Sequence, residues 1–342
     1  MARHELQLGE LPYDPLEEEE EEEQANEDGA SSTRHEDGTL RLRNPHIAEM
    51  GPDILYHLGL GSGSHDLQDM FGDVRFVCMG GTSRRMEQFA YYIKDEIGYK
   101  FPPGTTLLDN SGCCMYKVGP VLCFSHGMGI PSVGILLHEV IKLMYHARCR
   151  DPVFFRLGTC GGIGIDGGNL VISESAVDGL LRPYLDQLVL GKIQRRPAIL
   201  DPELANDLMN LRREDDPPSS GTLGQDHVPG RVDGAFCEYT EADKLAFLQK
   251  IHGENVVNME MESLGFAAFC YHAGPAQLLW CVVAMLDRLQ GDQVQTSKEV
   301  MNKWQEYPQV LVARYIRKAM GLPPSHTPEG TLAGSSQRST GS

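Results

Sequence analysis

Five short apolar runs decide most of what this chain can become. Val74–Met79, Met115–Ser125, Val153–Leu157, Asn169–Ser173 and Leu278–Leu286 are strand candidates. Several are continuous in Val, Ile, Leu and Phe and end in glycine, rather than alternating apolar with polar. Such runs suit strands buried on both faces, which need helices on each side. Helical patterns fall between them. The clearest follows His126–Gly129: Pro131 suits a first turn, and Val133, Leu136, Leu137, Val140, Ile141 and Met144 form one apolar stripe. Further helices are expected over 83–97, over 308–320 and from Glu260 through Phe269. Strands alternating with helices predict a single α/β domain around one largely parallel sheet, with ligands at the strand carboxyl ends.

Charge is placed unevenly. The 342 residues carry a formal −18, and residues 1–40 hold 14 acidic side chains, including the run Glu17–Glu23, against Arg3 and Arg34. Composition therefore predicts a disordered acidic tail over 1–40, a folded domain over 41–322 and a disordered tail rich in Ser, Thr, Gly and Pro over 323–342. No basic surface attracts nucleic acid by bulk charge. No run approaches the roughly 20 apolar residues a membrane span needs, and the acidic start does not read as a secretory signal. The nine cysteines are scattered and form no C-x-x-C pair. They predict free thiols in a cytosolic protein without a metal site or other cofactor.

Four loops at strand or helix ends carry candidate chemistry. Gly80-Gly81-Thr82-Ser83-Arg84-Arg85 follows a strand and opens a helix; glycine amides, the helix start and Arg85 suit an anion, although an ordinary turn with a surface arginine fits as well. In Arg156-Leu157-Gly158-Thr159-Cys160-Gly161-Gly162, an arginine at an apolar strand end needs an anionic partner. That partner is a phosphate or a structural carboxylate; two Arg-plus-Gly strand ends in one sheet favour phosphate. Asn258-Met259-Glu260-Met261-Glu262-Ser263 sits at an expected helix start, where carboxylates serve either sugar hydroxyls or the helix dipole. Asp287-Arg288 closes the last strand, as a site for charge management or as an ion pair. Two decoys are set aside. Gly162–Gly167 matches G-x-G-x-x-G but leads into a strand, and His138-Glu139 lacks the second histidine of a zinc motif. An oxyanion beside a sugar diol describes phosphorolysis of a nucleoside, through an oxocarbenium-like transition state.

The sequence resembles the animal uridine phosphorylases, of the nucleoside phosphorylase fold, over about residues 41–322. The resemblance is carried by Ile54–His57, Phe76–Gly81, Met115–Pro120, Ser125–Ser132, Arg156–Gly164, Gly230–Ala235, Glu260–Glu262 and Arg288–Gln293. It implies a three-layer α/β/α domain with a central mixed, largely parallel sheet. Gly81, Arg85, Arg156 and Thr159 match the family's phosphate ligands, and Met261 and Glu262, with Glu260 beside them, its ribose contacts. His57 resembles the histidine that reaches into a neighbouring subunit's ribose site, which implies a homodimer with shared active sites. Arg231 resembles the uracil contact, and Arg288 the arginine that assists the leaving base, so Arg288 and Glu262 are the expected catalytic pair. The implied substrates are inorganic phosphate and uridine, with deoxyuridine and thymidine beside it, in pyrimidine nucleoside catabolism and salvage.

Three family residues are replaced. Gly112 stands where the family places a second phosphate arginine, Pro229 where it has the glutamine that reads uracil, and Gln225 where an aromatic stacks on the base. The segment Asp215–Ser220 is also expected to be shortened, in place of a strand. These departures leave a catalytically impaired paralogue, acting as a ligand-binding or assembly protein, as the alternative reading. A purine nucleoside phosphorylase is the weaker third, kept open by Asp287.

Overall fold

The computed structural model describes residues 34–49, 51–101, 114–226, 239–274 and 277–324. A short hairpin, β1 (Ile54–Leu55) and β2 (Leu60–Gly61), leads through α1 (Leu67–Phe71) into β3 (Phe76–Gly80) and α2 (Ser83–Glu96). Next come β4 (Met115–Val118), β5 (Val121–Ser125), α3 (Gly129–His146), β6 (Val153–Gly162) and β7 (Leu170–Val177). A second hairpin, β8 (Tyr184–Val189) and β9 (Lys192–Pro197), precedes α4 (Pro202–Met209), β10 (Ser219–Asp226) and α5 (Glu241–Gly253). The chain ends with β11 (Val256–Glu260), α6 (Ser263–Ala273), β12 (Gln277–Asp287), α7 (Lys298–Trp304) and α8 (Tyr307–Ala319).

Eight strands form one mixed sheet in the order β11-β10-β7-β12-β6-β3-β5-β4. β3 runs parallel to both β5 and β6, and β6 parallel to β12, whereas β12 meets β7 antiparallel. β11 also turns back onto β6, pairing Asn258 with Gly162 and Met259 with Gly161. β6, β12, β7, β10 and β11 thus close into a ring, which carries the end of β11 to the glycine end of β6.

The continuous apolar runs do line two faces. Val77 and Met79 of β3 join one buried cluster with Val133 and Leu137 of α3 and Phe266 of α6. Phe76 and Cys78 join another with Met86 and Phe89 of α2 and Leu311 and Val312 of α8. Alternate side chains of one strand therefore bury against opposite helical layers, which is the single-domain α/β arrangement expected. Six of the seven described cysteines are buried, and all seven are free thiols.

Several expectations are corrected. Met115–Ser125 is not one strand: Gly119, at φ +52°, and Pro120 turn it into the antiparallel hairpin β4–β5. The helix expected from Glu260 begins at Ser263, because Glu260 still belongs to β11. From Ser219 onward the chain forms β10, which pairs parallel with both β7 and β11. Residues 34–40 lie within the span expected as tail, yet Arg34 pairs with Asp151, Thr39 bridges to Arg150 and Leu40 is buried.

Candidate active site

Arg156 occupies the middle of β6, opposite Met79 of β3 and Trp280 of β12. Its guanidinium lies 4.1 Å above the Trp280 ring and is 4% exposed. It folds back over Gly158, where an added Cβ would fall 1.6 Å from Nη1. Nη2 donates to Oε2 of Glu262 at 2.8 Å. The other Glu262 oxygen accepts from the Gly129 amide, the first residue of α3, also at 2.8 Å. A buried pair of this kind is costly to desolvate and needs its remaining donors met. Among the described residues they are not met: Nε and Nη1 of Arg156 have no hydrogen-bond partner there.

Arg85 approaches from the first turn of α2. Thr82 caps that helix and accepts from the Arg85 amide. Nη2 of Arg85 reaches Gln305 Oε1 at 2.8 Å, while its Nε is buried without a hydrogen-bond partner among the described residues. Burial and the like charge of Arg156 lower its pKa to about 10, against the pull of Glu262. Burial raises the Glu262 carboxyl, but Arg156, Glu260 and the Gly129 amide outweigh it and hold the group below the usual carboxylate range. Gly81 begins the same turn beside Gly127, whose carbonyl lies 3.2 Å from where a Cβ on Gly81 would sit. Thr159 follows on β6, half-buried. The unmet guanidinium donors of Arg156 on β6 and Arg85 on α2 suit a small oxyanion.

The comparisons fit this pocket. The model of the phosphorylase superfamily matches residues 75–317. The mouse protein uridine phosphorylase 1 is 44% identical over 296 residues, which cover 84% of this chain and 95% of that one. A crystal structure of uridine phosphorylase from Schistosoma mansoni in complex with uracil superposes with a TM-score of 0.74 at 36% identity, covering 82% of this chain and 99% of that one. The chain is also 35% identical to inactive uridine phosphorylase B of the same organism, over 82% of its own length and 96% of the relative's.

The chain belongs to the uridine phosphorylase family.

As a uridine phosphorylase relative, the chain brings Arg85, Arg156 and Glu262 to one buried point, with Gly81 on the adjoining turn. Glu260 faces a different task. Its carboxylate accepts from the amides of Glu262 at 2.9 Å and Ser263 at 2.5 Å, and so seats the start of α6. Met261 is half-buried between the two carboxylates. Arg288 is buried on the turn after β12, lies over Gly161 and pairs with Asp292 at 3.1 Å, an acid shared with Lys244. Asp287 spends its carboxylate on the amides of Gly164 and Leu289. Arg231, Gly112 and Pro229 lie outside the described residues; Gln225 stands on β10, opposite Val177 and Met259.

His57 is held apart from these groups, on the loop between β1 and β2. Glu139 of α3 accepts the His57 amide at 2.9 Å, the Leu58 amide at 3.0 Å and His57 Nδ1 at 2.7 Å. Lys142 and His146, on the same face of α3, hold Asp53 at 2.8 and 3.0 Å. The His57 ring is left with 53% of its side chain exposed. Replacing Glu139 by alanine strands three donors, an effect of about 1–3 kcal/mol, so amide exchange at residues 57–58 should quicken roughly ten- to hundredfold. Hydrogen exchange read by mass spectrometry checks it; unchanged protection there would show that Glu139 does not hold the loop.

His126 lies beside Arg156 and Glu262, outside every motif of the four loops. Its ring is 3% exposed, no side chain among the described residues bonds either ring nitrogen, and Arg156, Arg85 and Glu262 all bear on it. A histidine between a strand and a glycine, at the same sheet end as Gly80-Gly81, was the available signal.

Proposed function

We propose that this chain catalyses the reversible phosphorolysis of uridine to uracil and ribose 1-phosphate. The observation that carries the reading is the buried Arg156–Glu262 pair, with unpartnered guanidinium donors beside Arg85. Phosphate held by Arg85, Arg156, Thr159 and the Gly81 turn attacks the anomeric carbon. The glycosidic C–N bond breaks as the new C–O bond forms, and its electron pair leaves on the base. Glu262 and Met261 hold the ribose, and Arg288 and Arg231 steady the uracil anion. Arg156 neutralises Glu262, so a carboxylate and a phosphate share one pocket without mutual repulsion. Deoxyuridine and thymidine are further candidate substrates.

The catalytic unit is assigned to residues 41–322, with residues 34–40 packed onto it through Arg34, Thr39 and Leu40. A cytosolic homodimer acting in pyrimidine nucleoside salvage is part of the same reading. The exposed His57 ring beside exposed Ile54 and Tyr56 supports a second subunit there, whose ribose site the ring completes.

The test is the purified chain with phosphate and, separately, uridine, thymidine, deoxyuridine and inosine, following free base and ribose 1-phosphate. Phosphate-dependent uracil release that falls at least about 100-fold in Glu262→Ala is the expected result. Silence on every nucleoside, from folded protein, would overturn it. That outcome favours the impaired paralogue, to which the replacements at Gly112, Gln225 and Pro229 and the likeness to an inactive schistosome relative point.

A further inference from the structure

His126 sits where two strands of the sheet end together. Ser125, the last residue of β5, pairs with Gly80 of β3. The His126 amide donates to the Gly80 carbonyl at 2.9 Å, and its own carbonyl accepts from Ser132 Oγ at 2.5 Å. Gly127 then turns away at φ +74°, where a side chain would strain the backbone and strike Ser132. Both sides of the backbone are tied, so the ring is set by the fold and not by rotation of a loop. It is 3% exposed, its ring approaches the Gly127 backbone, and among the described residues neither Nδ1 nor Nε2 makes a hydrogen bond of good geometry. Burying an imidazole whose accepting nitrogen meets no protein donor is expensive, and such a nitrogen calls for a bound water or a ligand.

The charged groups bearing on the ring are those of the anion pocket: Arg156, Arg85 and Glu262. Burial first, then the two guanidiniums, lower its pKa to about 3 despite Glu262. At neutral pH the ring is therefore uncharged, with one nitrogen a donor and the other a lone pair. That lone pair is unusual company. The free positions on Arg85 and Arg156 are donors only, and the two oxygens of Glu262, each already accepting one hydrogen bond, are assigned to the ribose. Such a pocket would take any tetrahedral oxyanion by charge alone. Hydrogen phosphate differs from sulfate in one respect that matters here: it carries a P–OH, which must donate to something.

We propose that His126 is the residue that tells phosphate from sulfate, its ring accepting a hydrogen bond from the P–OH of the bound anion. The proposal rests on the phosphate pocket described above and adds a specificity-determining role to it. No proton is transferred in this contact. A hydrogen bond to a charged group accounts for roughly a ten- to hundredfold difference in affinity.

The experiment compares wild type with His126→Phe, His126→Asn and His126→Gln. It measures KM for phosphate and the competitive inhibition constant of sulfate in uridine phosphorolysis, and in parallel the affinity of inorganic phosphate and sulfate by calorimetry. Expected is a His126→Phe variant whose phosphate affinity falls about ten- to hundredfold while sulfate affinity changes less than threefold. The amide that places its oxygen where the accepting nitrogen stood, Asn for Nδ1 or Gln for Nε2, should recover part of the preference. Equal losses for both anions in the folded variants, or no loss for either, would overturn the proposal. Should Phe fail to fold, the Asn and Gln pair carries the same comparison. Calorimetry separates the two readings: phosphate bound in preference to sulfate without turnover leaves the His126 assignment standing and removes only the activity. Wild type that binds both anions alike removes the His126 assignment itself.

Discussion

Arg156→Ala should reduce phosphorolysis by about 100- to 1,000-fold, the usual loss when a buried donor aimed at reacting charge is deleted. The same substitution should also destabilise the fold by about 3–5 kcal/mol, because it leaves Glu262 buried without its counter-charge. The two effects separate with pH. In the native protein Glu262 is held below its unfolded value, so its contribution to stability is present above the usual carboxylate range and is lost as pH falls through the folded value. Without Arg156, burial dominates and the carboxyl rises instead. The variant should then regain stability relative to wild type as the pH is lowered from 7 towards 5, without regaining activity. Urea unfolding at several pH values, beside turnover of uridine, reads both. A variant equally unstable at each pH would mean that Arg156 is not what holds Glu262 ionised. Lysine is a poor substitute, since a single ammonium does not span Glu262 and an anion together.

Gly158→Ala should be nearly as damaging, although it removes no charged group. The new Cβ would lie 1.6 Å from Nη1 and 2.3 Å from Cζ of Arg156, distances no relaxation of a bond angle relieves. Gly158 is not among the residues at positive φ, so alanine suits its backbone and the strand itself should persist. The guanidinium has to leave its seat over Trp280 and beside Glu262. Turnover is expected to fall by about 100-fold, while stability drops by about 1–3 kcal/mol, the range for overpacking. Steady-state kinetics and thermal melts of the one variant give both numbers. Activity within threefold of wild type would show that Arg156 works from some other position.

How far these residues could be read in advance follows from local chemistry. Arg156 was legible because Phe154-Phe155-Arg156 places a guanidinium in a strand too apolar to hold it without an anion. The helix after Gly129 was legible from its stripe and Pro131. β10, Ser-Ser-Gly-Thr-Leu-Gly-Gln-Asp, has no run of branched or aromatic residues; its neighbours β7 and β11 impose the strand, a tertiary effect that local propensity does not carry. The β8–β9 hairpin escaped notice because none of its residues is buried, so no alternation marks it. Val256–Glu260 was hidden by its own continuation: the acidic pair that suggested a helix start straddles a strand end and the turn into α6. Glu262 and Gly129 are 133 residues apart, and only the curl of β11 onto β6 brings them together.

The chain has two tryptophans, and their surroundings differ. Trp304 packs against the turn at Gly167 and Gly168, whereas Trp280 lies fully buried beneath the Arg156 guanidinium. An indole's emission responds to the field of a charge above its ring, and that field is screened when an anion takes the free guanidinium donors. Trp280 is thus a native optical probe of the Arg156 guanidinium, and replacing Trp304 by phenylalanine isolates its signal. Anion occupancy becomes a spectroscopic quantity that can be titrated without label, nucleoside or turnover.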